Sequence, residues 1–122
     1  MLRPTVVLML MVLWSPQPSD AADVAAGQAA FNQCKICHTV DAGGRNTVGP
    51  NLHGIFGRKA GTGSFSYSEA LKKSGIVWDD QAMAKYVRNP KEFVPGGSMA
   101  FPGIRDDAKI ADLLAYLHQA TQ

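Results

Sequence analysis

A chain of 122 residues fits one compact domain, and 12 Lys and Arg against 10 Asp and Glu lack the charge density that a nucleic-acid partner demands. Aromatics make up 8% and charged residues 18%, while 12 glycines and 7 prolines assign much of the chain to loops. A core built from so few large side chains points to something other than protein helping to fill it.

The first 21 residues read as a leader rather than as part of the fold. Arg3 supplies a positive charge, Thr5 to Trp14 form an apolar run, Pro16 and Pro18 end it, and Ser19-Asp20-Ala21 has the small-x-small pattern of a cleavage site. Cleavage is expected after Ala21, with export to the periplasm. The alternative is an uncleaved membrane anchor facing the periplasm, but the run is about half of the roughly 20 residues that a spanning helix needs. The domain proper is residues 22–122.

Asp23 is placed to cap a helix from Val24 to about Gln33, with Val24, Gly27, Ala30 and Phe31 on one stripe. This helix delivers Cys34-Lys35-Ile36-Cys37-His38, which holds both cysteines of the chain. Three chemistries compete for such a pair: a structural disulfide, a thioredoxin-type redox couple, and haem attachment. Zinc would need four ligands from a compact set, and two cysteines with three histidines supply it poorly. A redox couple wants a strand and a βαβ pattern upstream, where the sequence is Ala-rich helix, and it leaves His38 without a role. Covalent haem c accounts for all three residues: Cys34 and Cys37 take the two vinyl groups, and His38 offers its imidazole to the iron.

Gly43 to Gly63 is loop, rich in Gly, Pro, Asn and Thr. Ser66 with Glu69 forms a capping box for a short helix through Leu71 and Lys73 that stops at Gly75. Asp79 caps another from Asp80 to about Arg88, ending before Pro90. Pro95, Gly96, Gly97, Pro102 and Gly103 exclude regular structure from Lys91 to Gly103. The last helix starts near Asp106 or Asp107 and runs to about Gln119, with Ile110, Leu113, Leu114 and Leu117 on one face. That face needs a partner, and the small surface at Gly27 lets the first helix cross it closely. No segment reads as a strand.

The sixth position of the iron separates electron transfer from ligand chemistry. Met1, Met9 and Met11 leave with the leader, so two methionines remain. Met83 sits on the helix stripe with Ala82, Tyr86 and Val87 and reads as core. Met99 lies in a Pro/Gly loop where no stripe asks for an apolar residue, 61 positions after His38, and is the expected ligand. His53, in a loop, and His118, in the last turn of the final helix, read as surface histidines.

These residues carry a family resemblance. Gly27 and Phe31 precede the haem segment, and Val48-Gly49-Pro50-Asn51-Leu52-His53-Gly54, Phe56-Gly57-Arg58-Lys59, Phe65-Ser66-Tyr67 and Gly75-Ile76-Val77-Trp78 follow it. Tyr86, Asn89-Pro90-Lys91, Pro95-Gly96 with Met99 and Phe101, and Asp112-Leu113 with Ala115-Tyr116-Leu117 complete the series. Along residues 22–122 the chain resembles a small class I cytochrome c of the mitochondrial and alphaproteobacterial type.

The resemblance implies an all-α fold of short helices wrapped around one haem, with the terminal helices packed together. It implies that His38 is the proximal ligand and Pro50 its carbonyl acceptor, that Arg58, Tyr67 and Trp78 hold the inner propionate, that Tyr86 lies near the Met99 sulfur, and that Phe101 shields the haem. It implies a single-electron carrier and not an enzyme, a monomer with no small-molecule substrate. Its partners would be redox proteins such as a membrane cytochrome complex, a terminal oxidase or a photosynthetic reaction centre. Lys35, Lys59 and Lys91, with Lys72, Lys73 or Lys85, would form a modest basic docking rim, weakened by Glu92. Two departures stand out: Gly97 and Ser98 replace the Thr and Lys common before the methionine, and Leu71 replaces a haem-facing Asn. They imply a softer Met99 loop, and with it a second class of function, a peroxidase-like or gas-binding haem protein in which Met99 is displaced. A thiol-disulfide protein, which would be colourless, is the third class.

Overall fold

The computed structural model describes residues 22–122 together with 1–2, 11–13 and 15; the leader at 1–21 otherwise lies outside the described residues. Among them are five helices, α1 (Val24–Phe31), α2 (Glu69–Lys73), α3 (Asp80–Arg88), α4 (Pro90–Phe93) and α5 (Asp107–Ala120), and no strand. No described helix is long and apolar enough to cross a membrane.

α1 starts where Asp23, in extended backbone, accepts from the N–H groups of Ala25 at 2.9 Å and Ala26 at 3.2 Å. It ends two residues earlier than the stripe suggested, because the chain tightens after Phe31: the N–H groups of Cys34 and Lys35 both donate to the Phe31 carbonyl. α1 buries Gly27 and Phe31 against α5. The backbones cross so closely that a Cβ on Gly27 would run into the Asp112 carbonyl oxygen, and the Phe31 and Tyr116 rings meet at 5.3 Å. The expected packing of the terminal helices is therefore observed.

α5 is capped by Asp106, whose carboxylate accepts from the Lys109 N–H at 3.1 Å, and it buries Ile110, Leu113 and Leu117. α3 is capped by Asp79 through the Ala82 N–H at 2.7 Å and buries Met83 and Val87. A hydrogen bond joins His118 to Asp80 at one end of α3 and an ion pair joins Arg88 to Asp107 at the other, so α3 and α5 run antiparallel.

Two sequence expectations are corrected. The cap of α2 is Ser68 and not Ser66: the Ser68 hydroxyl accepts from the Leu71 N–H at 3.2 Å. The helix still stops as expected, with Gly75 at φ 71° just beyond Ser74. The stretch after Arg88 is not wholly irregular, because α4 forms at once: Asn89 caps the Glu92 N–H at 3.3 Å and Pro90 occupies the first helical position. The missing N–H that forbids Pro90 from extending α3 costs nothing at the start of a new helix.

The loops are tied to these helices. An isolated antiparallel bridge joins Lys59 to Val77, with Trp78 N–H donating to the Arg58 carbonyl at 2.9 Å and Ala60 N–H to the Ile76 carbonyl at 2.8 Å. Gly54 N–H donates to the Thr121 carbonyl at 2.6 Å, which closes the loop at residues 52–56 against the end of α5.

Candidate functional site

The turn after α1 places three reactive side chains together. Cys37 N–H donates to the Cys34 carbonyl at 3.0 Å and His38 N–H to the same oxygen at 2.9 Å, so Cys34, Cys37 and His38 lie on one tight turn. No disulfide joins Cys34 to Cys37. Burial pushes the Cys34 thiol up to about 11, with neighbouring Cys37 adding to it.

His38 Nδ1 donates to the Pro50 carbonyl oxygen at 2.7 Å. A carbonyl only accepts, so the ring proton sits on Nδ1 and Nε2 keeps its lone pair, the form a metal requires. Burial lowers the His38 pKa, and the Pro50 contact opposes that shift without reversing it; the imidazole is held neutral. Pro50 is itself held in place. Gly49 N–H and the Thr47 hydroxyl both donate to the Cys37 carbonyl, at 2.8 and 2.7 Å. The Asn46 carboxamide accepts from Asn51 N–H at 2.9 Å and donates to the Ser64 hydroxyl at 3.0 Å. Sequence reading marked Gly49, Pro50 and Asn51 by resemblance but gave Asn46, Thr47 and Ser64 no role; the Asn and Thr content of the loop was the available signal.

The ten residues picked out by sequence converge. Cys34, Cys37, His38, Pro50, Arg58, Tyr67, Trp78, Tyr86, Met99 and Phe101 all line one cavity of about 250 Å³. Sequence reading did not assign Leu52, Ile55, Val87, Leu113 and Leu117 to the same wall, where they present apolar surface; the α5 stripe marked the last two as core. Met83 is buried as expected for a core residue and also lines this cavity. The bridge between Lys59 and Val77 brings Arg58 beside Trp78, and Arg58 Nη2 donates to the His53 carbonyl at 2.5 Å. Trp78 and Tyr86 pack with ring centroids 4.9 Å apart, and burial raises the Tyr86 hydroxyl above its usual value. Leu71 also lines the cavity, so the departure from a polar residue falls on its wall.

Met99 is half-buried, and with Tyr86, Pro90, Lys91 and Gly97 it borders a small recess that admits no water. From Ser98 to Gly103 no backbone N–H donates to another described residue. The arm is fastened at its ends, by Gly97 N–H to the Val94 carbonyl at 2.9 Å and by Ile104 N–H to the Val87 carbonyl at 2.8 Å.

The two remaining histidines are not the plain surface residues expected. His53 is half-buried and its Nδ1 has no hydrogen-bond partner among the described residues. His118 stacks on Phe56 with centroids 3.8 Å apart while its Nε2 meets Asp80. Neither lines the cavity.

A neutral imidazole, two thiols on the same turn, a thioether and an apolar wall broken by one guanidinium fit an iron porphyrin with acidic substituents. Comparison with known proteins agrees. The sequence model of the cytochrome c family matches residues 24–121. The chain is 42% identical over 119 residues to cytochrome c2 of Blastochloris viridis, covering 97% of this chain and 94% of that protein. It is 45% identical over 96 residues to cytochrome c-550 of Bradyrhizobium diazoefficiens, covering 78% and 71% respectively. Among solved structures, cytochrome cH from Methylobacterium extorquens superposes with a TM-score of 0.76 at 46% identity, covering 80% of this chain and 99% of that one.

The fold and the cavity define a class I c-type cytochrome, and the chain belongs to the cytochrome c family. It is an electron carrier and not an enzyme, and it carries one haem c attached through Cys34 and Cys37.

Proposed function

We propose that this chain is a periplasmic carrier that shuttles single electrons between redox complexes, with the iron held by His38 and Met99. When bound, the haem supplies a reversible one-electron couple. The residues around it do the rest. His38 presents Nε2 because Pro50 occupies Nδ1. The Met99 thioether would be the second protein ligand to the iron, which would favour the ferrous state and keep small ligands out. With His38 and Met99 both holding the iron, the protein would need to move little when an electron arrives. Arg58, Tyr67 and Trp78 would hold the inner propionate, whose buried charge would otherwise be costly. Tyr86 contacts the Met99 side, and Phe101 keeps water from the haem.

The observation that carries this proposal is the convergence of His38 and Met99 on the one cavity that both attachment cysteines line. Replacing Met99 with Ala tests it. The ferric spectrum is expected to lose its thioether signature and to gain binding of added small ligands. A variant spectrum identical to that of the parent would overturn Met99 ligation and favour the displaced-methionine, peroxidase-like alternative.

Export rests on the leader pattern, with the mature chain starting at Ala22. Docking uses the rim of the cavity, where Lys59 is exposed and Val48 keeps 76% of its surface. Lys35, Lys73, Lys85 and Lys91 are also exposed, while Lys72 is engaged by Glu69 at 3.1 Å. A rim of a few lysines around apolar contacts suits brief encounters with an acidic face on a membrane cytochrome complex, terminal oxidase or reaction centre. Raising the ionic strength should slow oxidation by such a partner.

A further inference from the structure

The start of the domain holds a contact that haem chemistry does not use. Asp23 N–H donates to Asp112 Oδ1 at 2.8 Å, joining positions 89 residues apart. Asp112 cannot drift from this place, because its own carbonyl oxygen fills the space that a side chain on Gly27 would need. Its carboxylate is thereby aimed at the residues preceding α1. The Asp23 carboxylate is already engaged, accepting from Ala25 and Ala26 through Oδ1. The other oxygen of Asp112 accepts from no described residue, and no described cation pairs with it. Among the helices α1 packs on α5 alone.

Ala22 is exposed and lies just ahead of the helix. Consecutive Cα atoms are about 3.8 Å apart, so the Ala22 nitrogen is one residue from the N–H that already sits on Asp112. While the leader is attached, that nitrogen is a neutral amide. Hydrolysis by a processing peptidase adds one water across the Ala21–Ala22 bond. The leader departs with a new carboxylate, and the nitrogen remains on Ala22 and takes up protons to become an ammonium at neutral pH. A bare positive charge at the N-terminus of α1 opposes the helix dipole, and the Asp112 carboxylate reverses the sign of that effect.

We propose that leader removal completes the fold: the new α-ammonium of Ala22 pairs with the Asp112 carboxylate and locks the α1–α5 junction only in the processed protein. This rests on the cleavage site proposed above.

The test uses the exported holoprotein, its N-terminal residue read by mass spectrometry, alongside the same protein acetylated on the Ala22 amine alone. Asp112→Asn is prepared in both forms; its amide oxygen still accepts from Asp23, so the variant removes the charge and keeps the hydrogen bond. The free-amine protein is expected to melt about 1 to 6 °C above its acetylated form, and the difference should vanish or change sign in Asp112→Asn. The Ala22 amine should also react more slowly with an acylating reagent in the parent than in the variant. An Ala22 terminus with no melting difference, or with an equal difference in Asp112→Asn, would overturn the pairing while cleavage stands. An exported protein beginning elsewhere would overturn the proposal at its premise.

Discussion

His38 and Pro50 are joined by a 2.7 Å hydrogen bond from Nδ1 to the carbonyl oxygen, and Gly49 lies flat against the same imidazole. A Cβ at Gly49 would stand 2.6 Å from His38 Cε1 and 3.0 Å from Nε2. One segment therefore fixes both the tautomer and the tilt of the ring.

Replacing Gly49 with Ala should force either the ring or the loop to move. Overpacking of this kind costs about 1–3 kcal/mol, and the haem absorption and spin state should change with it. Unfolding monitored beside the visible spectrum checks both, and an unaltered spectrum would show that this loop does not set the ring.

Gly27→Val should be among the most damaging substitutions away from the cavity. The side chain would meet the Asp112 backbone and the Tyr116 Cβ, atoms that cannot swing aside. Separation of α1 from α5 is the expected result, with a loss of about 1–3 kcal/mol or more in denaturant unfolding.

Leu113, 1% exposed in α5 and also on the cavity wall, carries a different prediction. Truncation to Ala should destabilise the holoprotein by about 2–5 kcal/mol with its electron-transfer rate retained. Calorimetry and stopped-flow oxidation separate the two effects.

Tyr86 predicts a pH dependence. Burial raises its hydroxyl above the usual value, so at alkaline pH the unfolded chain gives up the proton first. The stability from this group is complete below about pH 10 and is lost as pH rises through the higher folded value. Tyr86→Phe should therefore flatten the alkaline arm of the stability profile, measured by denaturant unfolding between neutral pH and pH ~11.

The Met99 arm should exchange its amides early. With no acceptor among the described residues for any N–H from Ser98 to Gly103, these positions are expected to lose protection well before those of α5. Slow exchange there would contradict the softness that Gly97 and Ser98 imply.

Much of this was legible beforehand because it is local. Asp79 and Asp106 cap helices three residues ahead of themselves, and the stripe through Ile110, Leu113 and Leu117 is a property of one helix. The cap of α2 was misplaced because Ser66 and Ser68 are both plausible acceptors, and only the backbone at φ −62°, ψ 149° selects Ser68. α4 was missed because Asn89 and Pro90 end one helix and begin another, and the stop signal masked the start. His118 looked exposed in its helix turn, yet Phe56 arrives from a distant loop to stack on it.

The sequence alone determined the chemistry: two thiols and an imidazole in one turn, a methionine stranded in a Pro/Gly loop, and the caps and stripes that make the helices. Only the tertiary structure decided what each of these meets. The Pro50 carbonyl on His38, Arg58 beside Trp78 across the Lys59–Val77 bridge, and Asp112 at the start of α1 are contacts between segments. Periodicity tells a helix which face to bury, since that depends on its own geometry. It does not name the partner, because that choice is made by which loops can close and which backbones can approach, and here Gly27 and Gly49 permit the approach.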